Sequence, residues 1–111
     1  MKKKYKVLWS RIAENDLARI IEYIALDNKK NAFHVLKRIK EKASKHYITP
    51  ELGPIVPELQ DQGIRQYREL VIPPWRIIYR TEKKHVYVLA VFDSRRNFED
   101  ILFQRLIELS K

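Results

Sequence analysis

The stretch that decides the fold reads Arg65-Gln66-Tyr67-Arg68-Glu69-Leu70-Val71-Ile72, Pro73-Pro74, Trp75-Arg76-Ile77-Ile78-Tyr79-Arg80-Thr81-Glu82, Lys83-Lys84-His85, then Val86-Tyr87-Val88-Leu89-Ala90-Val91-Phe92. Its residues repeat with a period of two, and the runs are rich in β-branched and aromatic side chains. Pro73-Pro74 and Lys83-Lys84-His85 punctuate it, so residues 65–72, 75–82 and 86–92 are predicted as three strands. Strands joined this tightly must run antiparallel, which makes the segment a meander. The last run is almost unbroken apolar, as expected of a central strand covered on both faces.

Outward from the meander the period changes. Tyr5-Lys6-Val7-Leu8-Trp9 alternates and predicts a short N-terminal strand. Ser10 then stands in an N-cap position, with Glu14 and Asp16 near the start of a helix whose dipole favours acids there. Leu17, Ile20, Ile21 and Ile24 give that helix one buried stripe, and it should end near Asp27-Asn28. Asn31 is expected to cap a second helix with Ala32, Val35, Leu36, Ile39 and Ala43 on its inner face, completing an αα-hairpin. Thr49-Pro50, Gly53-Pro54 and Pro57 break it, and residues 47–64 read as a long loop that Ile55, Val56 and Leu59 pin to the core. After the meander, Asn97 can cap a final helix carrying Phe98, Leu102, Leu106 and Leu109 on one side. The predicted architecture is α+β: an N-terminal strand, an αα-hairpin, a three-stranded antiparallel meander and a C-terminal helix, as one domain over residues 1–111.

Charge narrows the partners. Lys and Arg number 23 against 14 Asp and Glu, a formal +9. The excess is patchy: residues 12–28 are net acidic, whereas 1–11, 29–46 and 65–84 are net basic. Such a distribution favours a partner surface, either a polyanion or an acidic protein segment. There is no cysteine, so disulfides and thiolate metal sites are excluded. The longest apolar run falls far short of the roughly 20 residues a membrane span needs. The charged start, Met1-Lys2-Lys3-Lys4, is followed by no apolar segment of a secretory signal, so a cytoplasmic location is expected.

Candidate functional residues cluster on the meander. Arg76 and Arg80 project the same way from one strand, and buried sheet faces rarely accept two arginines without partners. They either face solvent or line a site for an anion. Arg68 lies on the preceding strand, and Asp93-Ser94-Arg95-Arg96-Asn97 places two guanidinium groups beside a helix start. Arg68, Arg76, Arg80, Arg95 and Arg96 are therefore the candidate target-binding set. With two glycines there is no phosphate-cradling loop, the three histidines are scattered, and no serine has a His/Asp arrangement. No metal or cofactor is expected. What remains is metal-free chemistry on a phosphodiester. There Arg76 and Arg95 would stabilise charge while a proton mover such as Tyr79 assists, with Tyr67, Tyr87, Lys83, Lys84 and His85 as further possibilities.

The run Gly63–Leu70, then Pro74–Arg80, then Val86–Asp93 with Arg95-Arg96 resembles the RelE/ParE toxin superfamily, as does the N-terminal pattern Ala13, Asp16-Leu17, Ile20, Tyr23-Ile24. The resemblance covers nearly the whole chain. It implies a small antiparallel sheet packed by an αα-hairpin, and a cytosolic toxin held inactive in a hetero-oligomer by a cognate acidic antitoxin. RelE-like members cut mRNA on the ribosome with basic residues and usually a Tyr or His near the C-terminus. Arg76 and Arg95 match family arginines, but no Tyr or His follows Arg96. ParE-like members poison DNA gyrase, and Arg68-Glu69-Leu70 followed by Trp75–Arg80 is closer to them. The resemblance thus implies a gyrase-binding toxin causing growth arrest and plasmid stabilisation. The alternatives are a ribosome-dependent mRNA endoribonuclease and a non-toxic nucleic-acid-binding module.

Overall fold

The computed structural model describes residues 5–46, 53–95 and 98–109. In chain order it holds β1 (Lys6–Trp9), α1 (Arg11–Asp27), α2 (Lys29–His46), a single helical turn α3 (Pro57–Gln60), β2 (Arg68–Ile72), β3 (Trp75–Glu82), β4 (His85–Asp93) and α4 (Phe98–Leu109). The sheet has the order β1-β4-β3-β2. The meander forms as expected, with β2–β3 and β3–β4 antiparallel. β1 joins β4 in parallel, Lys6 opposite His85 and Trp9 opposite Val88, so the sheet is mixed and β4 is central.

Strand alternation sends two sets of apolar side chains to opposite faces. Ile72, Trp75, Ile77, Val88 and Val91 meet Ala13 and Leu17 of α1 and Ile39 of α2. Ile78, Ala90 and Phe92 meet Val56 and Leu59 from the α3 segment and Leu102 of α4. Val88 and Val91 are three residues apart yet share a face. The register shift opposite Ile78 and Tyr79 permits this, because a bulge resets the alternation. Among the described residues, the second face is covered only toward the β2–β3 turn: near the β3–β4 turn Arg80, His85 and Tyr87 stay half-buried and Leu8 is exposed. The apolar run of β4 predicts cover on both faces; among the described residues, the strand alternates buried and half-buried positions toward the β3–β4 turn and has the fuller cover toward its other end.

The helices begin where local chemistry starts them. The Ser10 side chain accepts a hydrogen bond from the Ala13 amide at 3.0 Å, and the Ser10 amide donates to Val88 O at 2.9 Å. One residue thus ends β1, starts α1 and ties both to β4. Ser10→Ala should cost about 1 kcal/mol, lowering the thermal midpoint by roughly 4 °C; a melting curve followed by far-UV circular dichroism checks this. The helix hairpin is tighter than expected: Asn28 alone connects α1 to α2. Its side chain accepts from the Asn31 amide at 3.0 Å, so Asn28 takes the capping place assigned to Asn31. The loop expected over 47–64 contains α3 and bridges to β2 through Ile55 and Arg68, which shortens β2 relative to its predicted start at Arg65. Val56 and Leu59 are fully buried, anchoring the segment as its apolar residues indicated. The expected cap at Asn97 lies outside the described residues. Among the described residues, no helix is long and apolar enough to cross a membrane.

Candidate target-binding site

Among the described residues, the sheet does not gather Arg68, Arg76, Arg80 and Arg95 into one cluster. Arg76 leaves β3 on the α3 face and meets two carboxylates. Its Nε donates to Glu69 Oε1 at 2.8 Å, while Nη1 and Nη2 donate to the two oxygens of Glu58 at 2.9 and 2.8 Å, with a further contact from Nη2 to Glu69. Burial works against the Arg76 charge, but the bonds from Glu58 and Glu69 outweigh it and hold the guanidinium above its ordinary pKa. The Arg76 side-chain hydrogen bond in turn holds the Glu58 carboxyl below its ordinary value. One cation against two carboxylates repels rather than recruits a phosphate. Arg76, expected to bind target or stabilise a transition state, is instead the clasp between α3 and the sheet.

Tyr79 is also misplaced for its expected role. It shares the row of Trp75 and Ile77 and is 1% exposed, packed with Tyr5 and Val86. No phosphodiester in solution can reach its hydroxyl, so it is a core residue and not a proton mover. Arg68 donates to the Gly53 carbonyl and holds the chain leading into α3. Arg80 sits near the β3–β4 turn, bonded to Glu82 at 2.9 Å and lying over the Tyr87 ring. Arg96 lies outside the described residues.

Arg95 keeps an open position. It follows β4 in a turn that Ser94 fastens to the Pro74 carbonyl at 2.8 Å through its amide. Its guanidinium donates twice to Asp93, at 3.0 and 2.8 Å, and this bond raises its pKa. The side chain is still 71% exposed. Arg95 stands at the mouth of a groove of about 650 Å³ between α1, the end of β4 and α4. Apolar walls come from Ile20, Tyr23, Trp75 and Ile101, and the exposed Arg19 also lines the groove. Arg80 lies on β3 near the β3–β4 turn, whereas Arg95 follows the other end of β4, so the two stand toward opposite ends of the β3–β4 pair.

The groove has a charged floor. Asp16, 6% exposed on α1, accepts from Arg105 Nη1 and Nη2 at 3.0 and 2.6 Å and from the Val91 amide at 3.1 Å. β1 ends at Trp9, opposite Val88, so among the described residues the β4 edge beyond it has no strand partner, and Asp16 occupies that edge. One carboxylate thus joins α1, β4 and α4. The arrangement offers a groove with apolar walls, a paired charged floor and exposed guanidinium groups, suited to holding a protein segment. It brings no nucleophile and base together.

Sequence comparison decides the lineage of this fold. The family described as the ParE toxin of the type II toxin–antitoxin system, parDE, matches residues 7–98. The chain belongs to the ParE toxin family. Among solved structures it is similar to the chromosomal ParDE toxin–antitoxin system from P. aeruginosa, with a TM-score of 0.65 and 20% identity. The match covers 82% of this chain and 97% of that one. At this identity the likeness speaks to the fold alone. No curated protein sequence matches it. Within this ParE-family chain Arg105 lies beyond the matched stretch, and sequence reasoning passed over it. The signal was present: Asp16 falls among Ala13, Leu17 and Ile20 on the inner stripe of α1, where a carboxylate demands a buried cation.

Proposed function

We propose that this ParE-family chain is the toxin of a type II toxin–antitoxin pair and that it acts by binding DNA gyrase, arresting growth, rather than by cutting RNA. The observation that carries the reading is the Glu58–Arg76–Glu69 clasp. It withdraws the arginine that metal-free phosphodiester cleavage would use. Burial of Tyr79 removes the accompanying proton mover. Inhibition by binding needs neither group. It needs a shaped surface with exposed anchors, which the groove supplies through Arg19, Tyr23 and Arg95.

The partner that holds the toxin inactive is an acidic antitoxin segment, forming a hetero-oligomer. The formal charge of +9 and the exposed apolar side chains Tyr23, Leu26 and Phe33 on the helix hairpin support such a partner. Purified toxin added in excess over gyrase should block supercoiling of relaxed plasmid, and prior addition of the antitoxin should restore it. Arg95→Glu should weaken inhibition at unchanged thermal stability. Unimpaired supercoiling at stoichiometric excess, together with message cut on ribosomes by primer extension, would replace this reading with the endoribonuclease.

A further inference from the structure

The end of the sheet away from the groove carries a second surface. On the α4 side, Ile78, Ala90 and Phe92 are covered, but the strands beyond them toward the β3–β4 turn carry no described helix. There the His85 and Tyr87 rings stack with centroids 5.8 Å apart and planes 24° from parallel. The Arg80 guanidinium lies 4.7 Å from the Tyr87 ring centre. Glu82 holds it in place, and its carboxyl is lowered in pKa by the Arg80 hydrogen bond. From β1, Lys6 stands opposite His85 and Leu8 opposite Tyr87, with Leu8 36% exposed. Lys83 and Lys84 project from the turn, both exposed.

Among the described residues, no hydrophobic cluster includes this row. The same strands bury Tyr5, Tyr79 and Val86 on their other face, so the hairpin end already has its core. What remains on this face is a half-buried stack of His85, Tyr87 and Arg80 with the exposed Lys6, Lys83 and Lys84 beside it. We propose that this sheet end binds single-stranded nucleic acid. Unpaired bases would extend this stack at the His85 ring and at the outer plane of the Arg80 guanidinium, with Tyr87 holding both groups in place, and backbone phosphates would meet the three lysines. An acidic peptide would engage the lysines but has no use for the ring row, and a duplex hides the base faces that the row would take. DNA and RNA single strands share this chemistry.

The proposal is independent of the gyrase reading, because naked oligonucleotides probe it. Fluorescence anisotropy with the full purified chain would compare labelled oligothymidylate, oligouridylate and a duplex of equal length. Both single strands, or one of them, should bind more tightly than the duplex, and a preference between them assigns DNA or RNA as the source. Tyr87→Leu and His85→Ala should each weaken single-strand binding by roughly tenfold, the effect of one stacked base. Glu82→Gln should strengthen it, and Lys83→Ser with Lys84→Ser should flatten its salt dependence. His85 opens its strand, so His85→Ala gives the reading if Tyr87→Leu does not fold. Three results would overturn the proposal. The ring variants could bind like wild type while the lysine variant loses binding, the duplex could bind as well as the single strands, or oligoglutamate could compete as well as oligothymidylate.

Discussion

Asp16→Ala should destabilise the chain by about 3–5 kcal/mol, the usual effect of removing one partner of a buried ion pair. That loss is comparable with much of the total stability of an ordinary domain, roughly 5–15 kcal/mol. The substitution strands two groups at once. Arg105 loses the carboxylate that accepts from both its terminal nitrogens, and the Val91 amide loses its acceptor on the β4 edge. Water from the groove compensates only in part, since Asp16 is buried and the Arg105 side chain is 19% exposed. Asp16→Asn should lose less, because an amide oxygen still accepts from Val91 while the ionic part disappears. Urea denaturation of the three proteins measures the series, and the order wild type, Asp16→Asn, Asp16→Ala is expected. A loss below about 1 kcal/mol for the alanine variant, the value typical of exposed pairs, would mean that the pair adds little. Far-UV dichroism would also report whether α4 has detached.

Arg76→Met should be equally severe near neutrality, again about 3–5 kcal/mol, and its pH dependence should run opposite to that of the wild type. In the wild type the folded-state pKa of Glu58 lies below its ordinary value of 4.5, held there chiefly by the Arg76 hydrogen bond. A depressed folded pKa contributes stability that is present above the unfolded value and lost as pH falls through the folded one. Wild-type stability should therefore decline as acid titrates Glu58 below about pH 4.5. Without Arg76, Glu58 and Glu69 face each other with no cation between them, and protonating one relieves the repulsion. The variant should then gain stability on mild acidification over the range where the wild type is flat. Chemical denaturation midpoints near neutrality and near pH 5 measure the slopes. Parallel slopes for the two proteins would show that the clasp does not set the titration.

The meander was legible because its signal is local: a period of two, prolines at one turn and two lysines at the other. Lys83 takes the left-handed conformation there, with φ of 55°, and so permits the tight turn between β3 and β4. The α1 stripe and the Ser10 cap were legible for the same reason. The parallel pairing of β1 with β4 was not, since nothing in Lys6–Trp9 states which edge it will choose. The candidate site fared less well. Charge spacing identified Arg76 as an arginine needing a partner, but Glu58 comes from a segment that read as loop, so the sequence could not distinguish a waiting anion site from a filled one. Burial of Tyr79 could have been anticipated, because its row also holds Trp75 and Ile77. Arg95 was placed correctly beside a helix start, but the groove it borders depends on Asp16 and Arg105, which lie 89 positions apart.

That separation has a consequence for synthesis. Lys6 meets His85, Ser10 meets Leu89, and Asp16 meets Arg105. The first strand and helix are made early on the ribosome, yet their partners emerge near the finish, and such distant closures fold late. A chain broken off before residue 85 would keep the β2–β3 pair but lack β4, the strand that joins β1 to β3, and with it both the groove and the ring row. Premature termination therefore yields no half-armed fragment, only a segment for proteases to clear.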